Sequence, residues 1–175
     1  GASGAGATVL GGATAVCTLD AAWDADKGEA VVAIVTRQAG KDKVWLARGK
    51  PGGTFAAVEV TSKTSKGDCR QGIAGAKLTV RSGSAIVSWF EALLPSVPTA
   101  GMVYAADVSG AKVTSLTKMP TNEAATSDSG SGAAPANALA TRGLAGVVDN
   151  GTTVSAIIEA TVAGKRQIIL HTFIP

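Results

Sequence analysis

The sequence predicts an all-β protein of three propeller-blade-like antiparallel β-sheet repeats, a partial β-propeller, with a β-sandwich as the alternative architecture. Three observations lead there. A short pattern recurs as Gly28-Glu29-Ala30-Val31-Val32-Ala33-Ile34-Val35, Gly83-Ser84-Ala85-Ile86-Val87-Ser88-Trp89-Phe90 and Gly151-Thr152-Thr153-Val154-Ser155-Ala156-Ile157-Ile158. Each copy is followed, beyond a polar or Pro/Gly-bearing turn, by a second apolar run: Val44-Trp45-Leu46-Ala47, Val103-Tyr104-Ala105-Ala106 and Ile168-Ile169-Leu170-His171. No stretch sustains the 3.6-residue apolar period of a helix, so a helical solenoid is excluded.

The Gly-initiated runs are rich in Val, Ile and aromatic residues, which suit the pleated surface of a strand. Gly83 to Ala92 aligns without a gap on Gly151 to Ala160, and both segments end in Glu-Ala. Upstream, Arg70-Gln71-Gly72-Ile73-Ala74-Gly75 echoes Arg142-Gly143-Leu144-Ala145-Gly146 and supplies a preceding strand. Downstream, Phe55-Ala56-Ala57-Val58-Glu59-Val60-Thr61 and Ala111-Lys112-Val113-Thr114-Ser115-Leu116 read as fourth strands of the first two units. The third unit has no such run after its third strand. Ala7-Thr8-Val9-Leu10, ahead of the first repeat, is the spare strand that closes the set and hides an exposed edge.

This places the repeat units at about 17–68, 69–120 and 139–175, the last completed by 1–16, all within one domain. Ser, Gly and Pro dominate 126–135, so 121–138 reads as a flexible insertion between the second and third units. Three blades do not close a ring, since rings use about four to eight. A twofold dimer forming a six-bladed ring, a longer polypeptide, or a sandwich with an approximate repeat each resolves the shortfall.

Composition bounds the chemistry. The 175 residues are 46% hydrophobic, mostly Ala and Val, and include three Trp, three Phe and one Tyr, so the expected core is of small and β-branched side chains. The net charge of +3 is spread along the chain apart from Lys41, Lys43, Arg48 and Lys50, and Lys63, Lys66 and Arg70. These basic residues read as loop and outer-strand solvation; a nucleic-acid surface would show a denser basic stripe interleaved with aromatics. No apolar run approaches the roughly 18–20 residues that span a bilayer as a helix, and no signal peptide is recognisable. The chain begins at Gly1 without Met, and Ala5 stands where myristoylation needs Ser or Thr.

Cys17 and Cys69 are separated by nearly the offset between the first two repeats, so they occupy like positions in adjacent sheets. They read either as a disulfide, which fits an oxidising compartment, or as two buried free thiols. Two cysteines and one distant histidine, His171, make no zinc site. His171 aligns with Ala47 and Ala106, a structural position, and no Gly-x-Ser-x-Gly elbow accompanies it.

The candidate ligand-binding residues are Trp23, Asp24, Asp26, Glu91 and Glu159. Asp20, Asp24 and Asp26 beside Trp23 form an acidic strand end that reads as solvated acids or, less simply, as a cation site. Glu91 and Glu159, at matching repeat positions, either end equivalent strands or set paired carboxylates at one rim. Trp45 and Trp89 fall within strands and are expected to fill the core, while Trp23 is the exposed stacking candidate for a sugar.

The stretch Ala30 to Val60, with Lys50-Pro51-Gly52-Gly53-Thr54-Phe55 after Val44-Trp45-Leu46-Ala47, resembles one blade of a sialidase-like propeller. Blades of that family carry an Asp-box turn, roughly Ser-x-Asp-x-Gly-x-Thr-Trp, between their third and fourth strands. The resemblance implies a blade. The family's enzymes use Tyr with Glu as nucleophile and base, and an Asp acid. Tyr104, the one tyrosine here, takes the repeat position of Trp45 and reads as a packing residue, so no catalytic residue is carried across.

These readings make the chain a non-enzymatic structural or assembly module of an exported or surface-displayed complex, placed extracellularly, at the cell surface or in the periplasm. The expected partners are copies of itself or a larger protein assembly. A glycan-binding lectin of propeller type is the alternative, and a degenerate glycosidase fragment the third reading. No cofactor, metal, nucleic acid or membrane span is expected. The two readings of the cysteines separate by thiol titration of the denatured, unreduced protein. The bridge predicts no free thiol and a Cys17–Cys69 linked peptide pair on mass mapping, whereas free thiols titrate in full.

Overall fold

The computed structural model describes residues 15–64, 73–81, 84–94, 97–109, 112–119, 140–162 and 165–173. Among these residues the chain is all-β without a helix, in antiparallel sheets that do not close. The first sheet is a meander of β1 (Ala15–Asp24), β2 (Glu29–Gln38), β3 (Lys41–Gly49) and β4 (Ala56–Thr64). The second runs β5 (Ile73–Arg81), β6 (Ser84–Leu94), β7 (Val97–Ser109) and β8 (Lys112–Met119), each strand paired with the next. The third comprises β9 (Ala140–Asp149), β10 (Val154–Val162) and β11 (Lys165–Phe173). One residue pair, Ala100 with Ala140, ties β7 to β9.

The three echoes of the sequence pattern are β2, β6 and β10, the second strand of each meander. The apolar runs that follow them are β3, β7 and β11, and the two fourth-strand candidates lie on β4 and β8. Residues 7–10, the insertion 121–138 and Cys69 lie outside the described residues. Cys17, on β1, packs against the core and is not a free thiol.

The meanders stack face to face. Val31, Ala33 and Val35 of β2 with Val44 and Leu46 of β3 meet Ile73, Ala76 and Leu78 of β5, Ala85, Val87 and Trp89 of β6, and Ala106 and Val108 of β7. Alternation puts Ile86, Ser88 and Phe90 on the other face of β6, and these are buried too. Arg81 shares that second face and forms a bidentate pair with Asp149 at the end of β9, its Nη2 donating to Oδ1 at 2.7 Å, and β9 lies against β5 and β6. A run buried on both sides explains why β6 reads as continuous apolar sequence rather than alternation. Small side chains keep the layers close. The largest ring contact in the core is Trp89 stacked on Tyr104, centroids 5.7 Å apart and 12° from parallel. Burial, then the charge of Glu91, raises the Tyr104 phenol.

Trp45 departs from expectation. It lies half-buried on the outer face of the first meander, directly opposite Ile34, and its indole N–H donates to Thr36 Oγ1 at 3.0 Å. The Lys43 ammonium sits 5.1 Å from its ring centroid and pairs with Glu59 at 2.7 Å. The indole thereby covers Ile34 while a solvated cation covers the indole.

The join between the first two sheets is polar. Two N–H groups of β5 point away from β6 and are met by carboxylates of the first sheet: Ile73 N–H donates to Asp42 Oδ2 at 3.1 Å, and Leu78 N–H to Asp20 Oδ2 at 3.0 Å. N–H direction alternates along a strand, so residues 73 and 78 would face opposite edges of a regular one. A bulge between Ala74 and Ala76, with Gly75 at φ 64°, shifts the phase and brings both to the same edge. Asp42 is fully buried, and its Oδ1 accepts from both Nε and Nη2 of Arg37 at 2.9 Å. Arg37 and Asp42 face each other across a two-residue turn in which Ala39 and Gly40 both have positive φ, at 50° and 75°. That is the geometry of a primed hairpin turn, which Ala adopts at some cost.

Asp42→Ala takes the acceptor from the buried Ile73 N–H and one carboxylate from Arg37. It is expected to destabilise by about 3 kcal/mol, more than Asp20→Ala at about 1–2 kcal/mol, because the second site is nearer solvent. Urea denaturation of the two variants checks the order.

Candidate functional site

One end of the first meander carries an open recess. The β1–β2 turn (25–28) and the β3–β4 turn (50–55) flank it, and the last residues of β3 and the first of β4 line it. The β3–β4 turn is held by Gly53 N–H donating to the Lys50 carbonyl at 2.9 Å, with Gly52 at φ 72°. Phe55 then folds back onto Gly49, whose missing side chain makes room: a Cβ there would stand 2.8 Å from the Phe55 ring. The resulting groove, about 610 Å³, is lined by Lys27, Glu29, Arg48 and Lys50 around small residues of the turn and of β4, including Ala57 and Val58.

The sheet register sets the electrostatics. Arg48 lies opposite Val31, and Val31 opposite Ala22, so Arg48 shares a face with Asp24 two residues further along β1. Arg48 Nη1 donates to Asp24 Oδ2 at 3.0 Å, and the Lys27 N–H donates to Oδ1 at 3.2 Å. Asp24 is 2% exposed and Arg48 8%. Burial raises the Asp24 carboxyl, but the Lys27 N–H, the Arg48 guanidinium and the Lys27 charge outweigh it and hold the group below its ordinary value.

Asp24 is therefore an internal counter-ion. This corrects the sequence reading of solvated acids: the buried Asp24 carboxylate accepts from Arg48 and from the Lys27 N–H, and Asp20 accepts from the Leu78 N–H. Asp26 is exposed in the turn. Trp23 points to the opposite face, 54% exposed, and does not line the groove. No group of three or more potential metal ligands occurs among the described residues. Glu91, on β6, accepts the Trp89 indole N–H at 3.1 Å. Glu159 is on β10, in another meander, opposite Ile168, and its side chain lies outside the described residues. The sequence reading missed Arg48 as a site residue by grouping it with solvated lysines. The signal was an acid and an arginine near the ends of the two strands that flank β2, just before glycine-bearing turns.

Chemically the recess offers a guanidinium, two ammonium groups, one hydroxyl from Thr54 and one carboxylate from Glu29. That set suits holding an anion; its lining residues include neither an imidazole nor a carboxylate pair. No helix among the described residues is long and apolar enough to cross a membrane. Comparison of the chain with known protein families, with curated proteins and with solved structures gives no match in any of the three.

Because the Asp24 carboxyl is depressed in the folded protein, its contribution is present above the ordinary carboxyl value of 3.8 and is lost as pH falls through the lower folded value. Asp24→Asn is expected to be less stable than the parent at neutral pH, with the gap narrowing steadily below about pH 4. Denaturation midpoints measured across that range read the effect.

Proposed function

We propose that this chain is a non-enzymatic structural or assembly module whose stack of sheets is extended by copies of itself or by a partner chain. The observation supporting this is that both outer faces of the stack are apolar. On the first meander Val16, Leu19 and Trp23 are exposed beside half-buried Trp45. On the third, Val148, Ile168 and Leu170 are exposed on one face, rimmed by Ser155 and Thr172, whose hydroxyls are 2.7 Å apart. Among the described residues β11 has a ladder partner on one side only.

Monomeric soluble proteins rarely leave such faces open, and small residues elsewhere in this chain show how closely its sheets pack when covered. On this reading the three meanders are blades of a partial propeller, and a twofold dimer sets the third-meander face of each copy against the first-meander face of the other. Export or surface display follows from the same reading, with the Cys17–Cys69 bridge as its redox correlate. The exposed Trp23 favours a second reading, glycan binding by stacking on the indole.

Light scattering of the native protein is expected to give a dimer or larger species. Leu170→Lys, at an exposed position, is expected to weaken association by about thirtyfold or more while leaving the circular dichroism unchanged. A monomer at all concentrations overturns the assembly reading, and a glycan-array signal lost in Trp23→Ala then favours the second.

A further inference from the structure

Three arginines of the described residues engage buried or half-buried carboxylates, and two of them do so through the same edge of the guanidinium. Arg37 gives Nε and Nη2 to Asp42, and Arg81 gives Nε and Nη2 to Asp149. Arg48 differs. It contacts Asp24 through Nη1, and its Nε and Nη2 are buried without any hydrogen-bond partner. An unsatisfied buried charged donor pair is costly, and the planar fork it presents is the geometry that carboxylates fill with two parallel bonds. Arg48 is also part of the wall of the 610 Å³ groove.

We propose that this groove binds a small organic carboxylate, its two oxygens accepting from Nε and Nη2 of Arg48. The juxtaposition carries the choice of ligand. Among the lining residues the cations Lys27, Arg48 and Lys50 stand against one carboxylate, Glu29, so the field at the opening favours an anion. Gly49, Gly53, Ala56, Ala57 and Val58 furnish an apolar bed for an aliphatic body, which suits an organic acid better than a fully hydrated phosphate. Because neither nitrogen touches solvent, the carboxylate enters as the 50–55 turn, which lines the same groove, shifts outward. In exchange it meets a fork already stripped of water, where charge-assisted bonds are strong.

The test is a titration of the native protein with hexanoate, hexanol and inorganic phosphate at low salt, followed by calorimetry and by the Arg48 Nε–H resonance. Hexanoate is expected to bind saturably, at least about tenfold tighter than hexanol or phosphate, and to move that resonance. Arg48→Lys keeps a cation for Asp24 but lacks the fork, and is expected to lose about tenfold or more in hexanoate affinity. Ala56→Trp, at an exposed strand position that lines the groove directly opposite Arg48 and on its face, is expected to block binding with little change in melting temperature. It also serves if Arg48→Lys does not fold. Absence of saturable hexanoate binding, an unmoved Arg48 resonance, hexanoate affinity retained in Ala56→Trp, or phosphate binding as tight as hexanoate overturns the proposal.

Discussion

The stack depends on how the unpaired edge of β5 is closed. Among the described residues β5, the first strand of its meander, has a ladder partner only in β6, yet its other edge faces the first sheet. Buried N–H groups need acceptors, and no strand supplies them here. Asp20 and Asp42 do so instead, and the bulge at Gly75 turns both N–H groups toward them. A carboxylate accepts from a point rather than along a ladder. The two sheets can therefore meet face to face, with one packing its apolar side against the other, where continued pairing would have merged them into one sheet.

The same device recurs between the second and third sheets, where Arg81 and Asp149 meet. The Arg81 side chain draws the Asp149 carboxyl below its ordinary value, against the opposing effect of burial, while the Gly151 N–H adds a further bond. Asp149 thus serves the sheet contact and the β9–β10 turn at once. Asn150 completes that turn, its side chain accepting from the N–H groups of Thr152 and Thr153. Apolar packing between Ala- and Val-rich faces is close, and the Arg81–Asp149 pair adds a point contact that joins two particular residues of the facing strands. Arg48 and Asp24 pair within the first meander instead and leave the Nε and Nη2 of Arg48 unfilled, which is why the groove beside them stands out.

A stack of sheets has two ends, and here both are apolar. The first meander partly shields its end with Trp45 under Lys43, but Leu19 and Trp23 on β1 remain uncovered. On the third meander Ile168 and Leu170 are exposed. Face-to-face packing between sheets inside the molecule and association between molecules would then use one kind of surface, differing in whether the chain supplies both sides.

The strand pattern was legible from residue order alone, because β2, β6 and β10 repeat a Gly-initiated apolar run and side-chain chemistry acts locally on the backbone. Exposure of Trp23 and burial of Trp89 were legible for the same reason. What a strand's partners do was not. Trp45 reads as core by its neighbours, yet the pleat sends it outward over Ile34. Asp20 and Asp24 look like solvated acids, and Arg48 like one basic residue among several, until register across three strands brings Arg48 to Asp24 and the packing of β5 brings the Leu78 N–H to Asp20. Local sequence determined which segments are strands. Tertiary structure alone decided which charges are buried, because burial depends on the face that opposes a residue, and that face is contributed by residues far away in the chain.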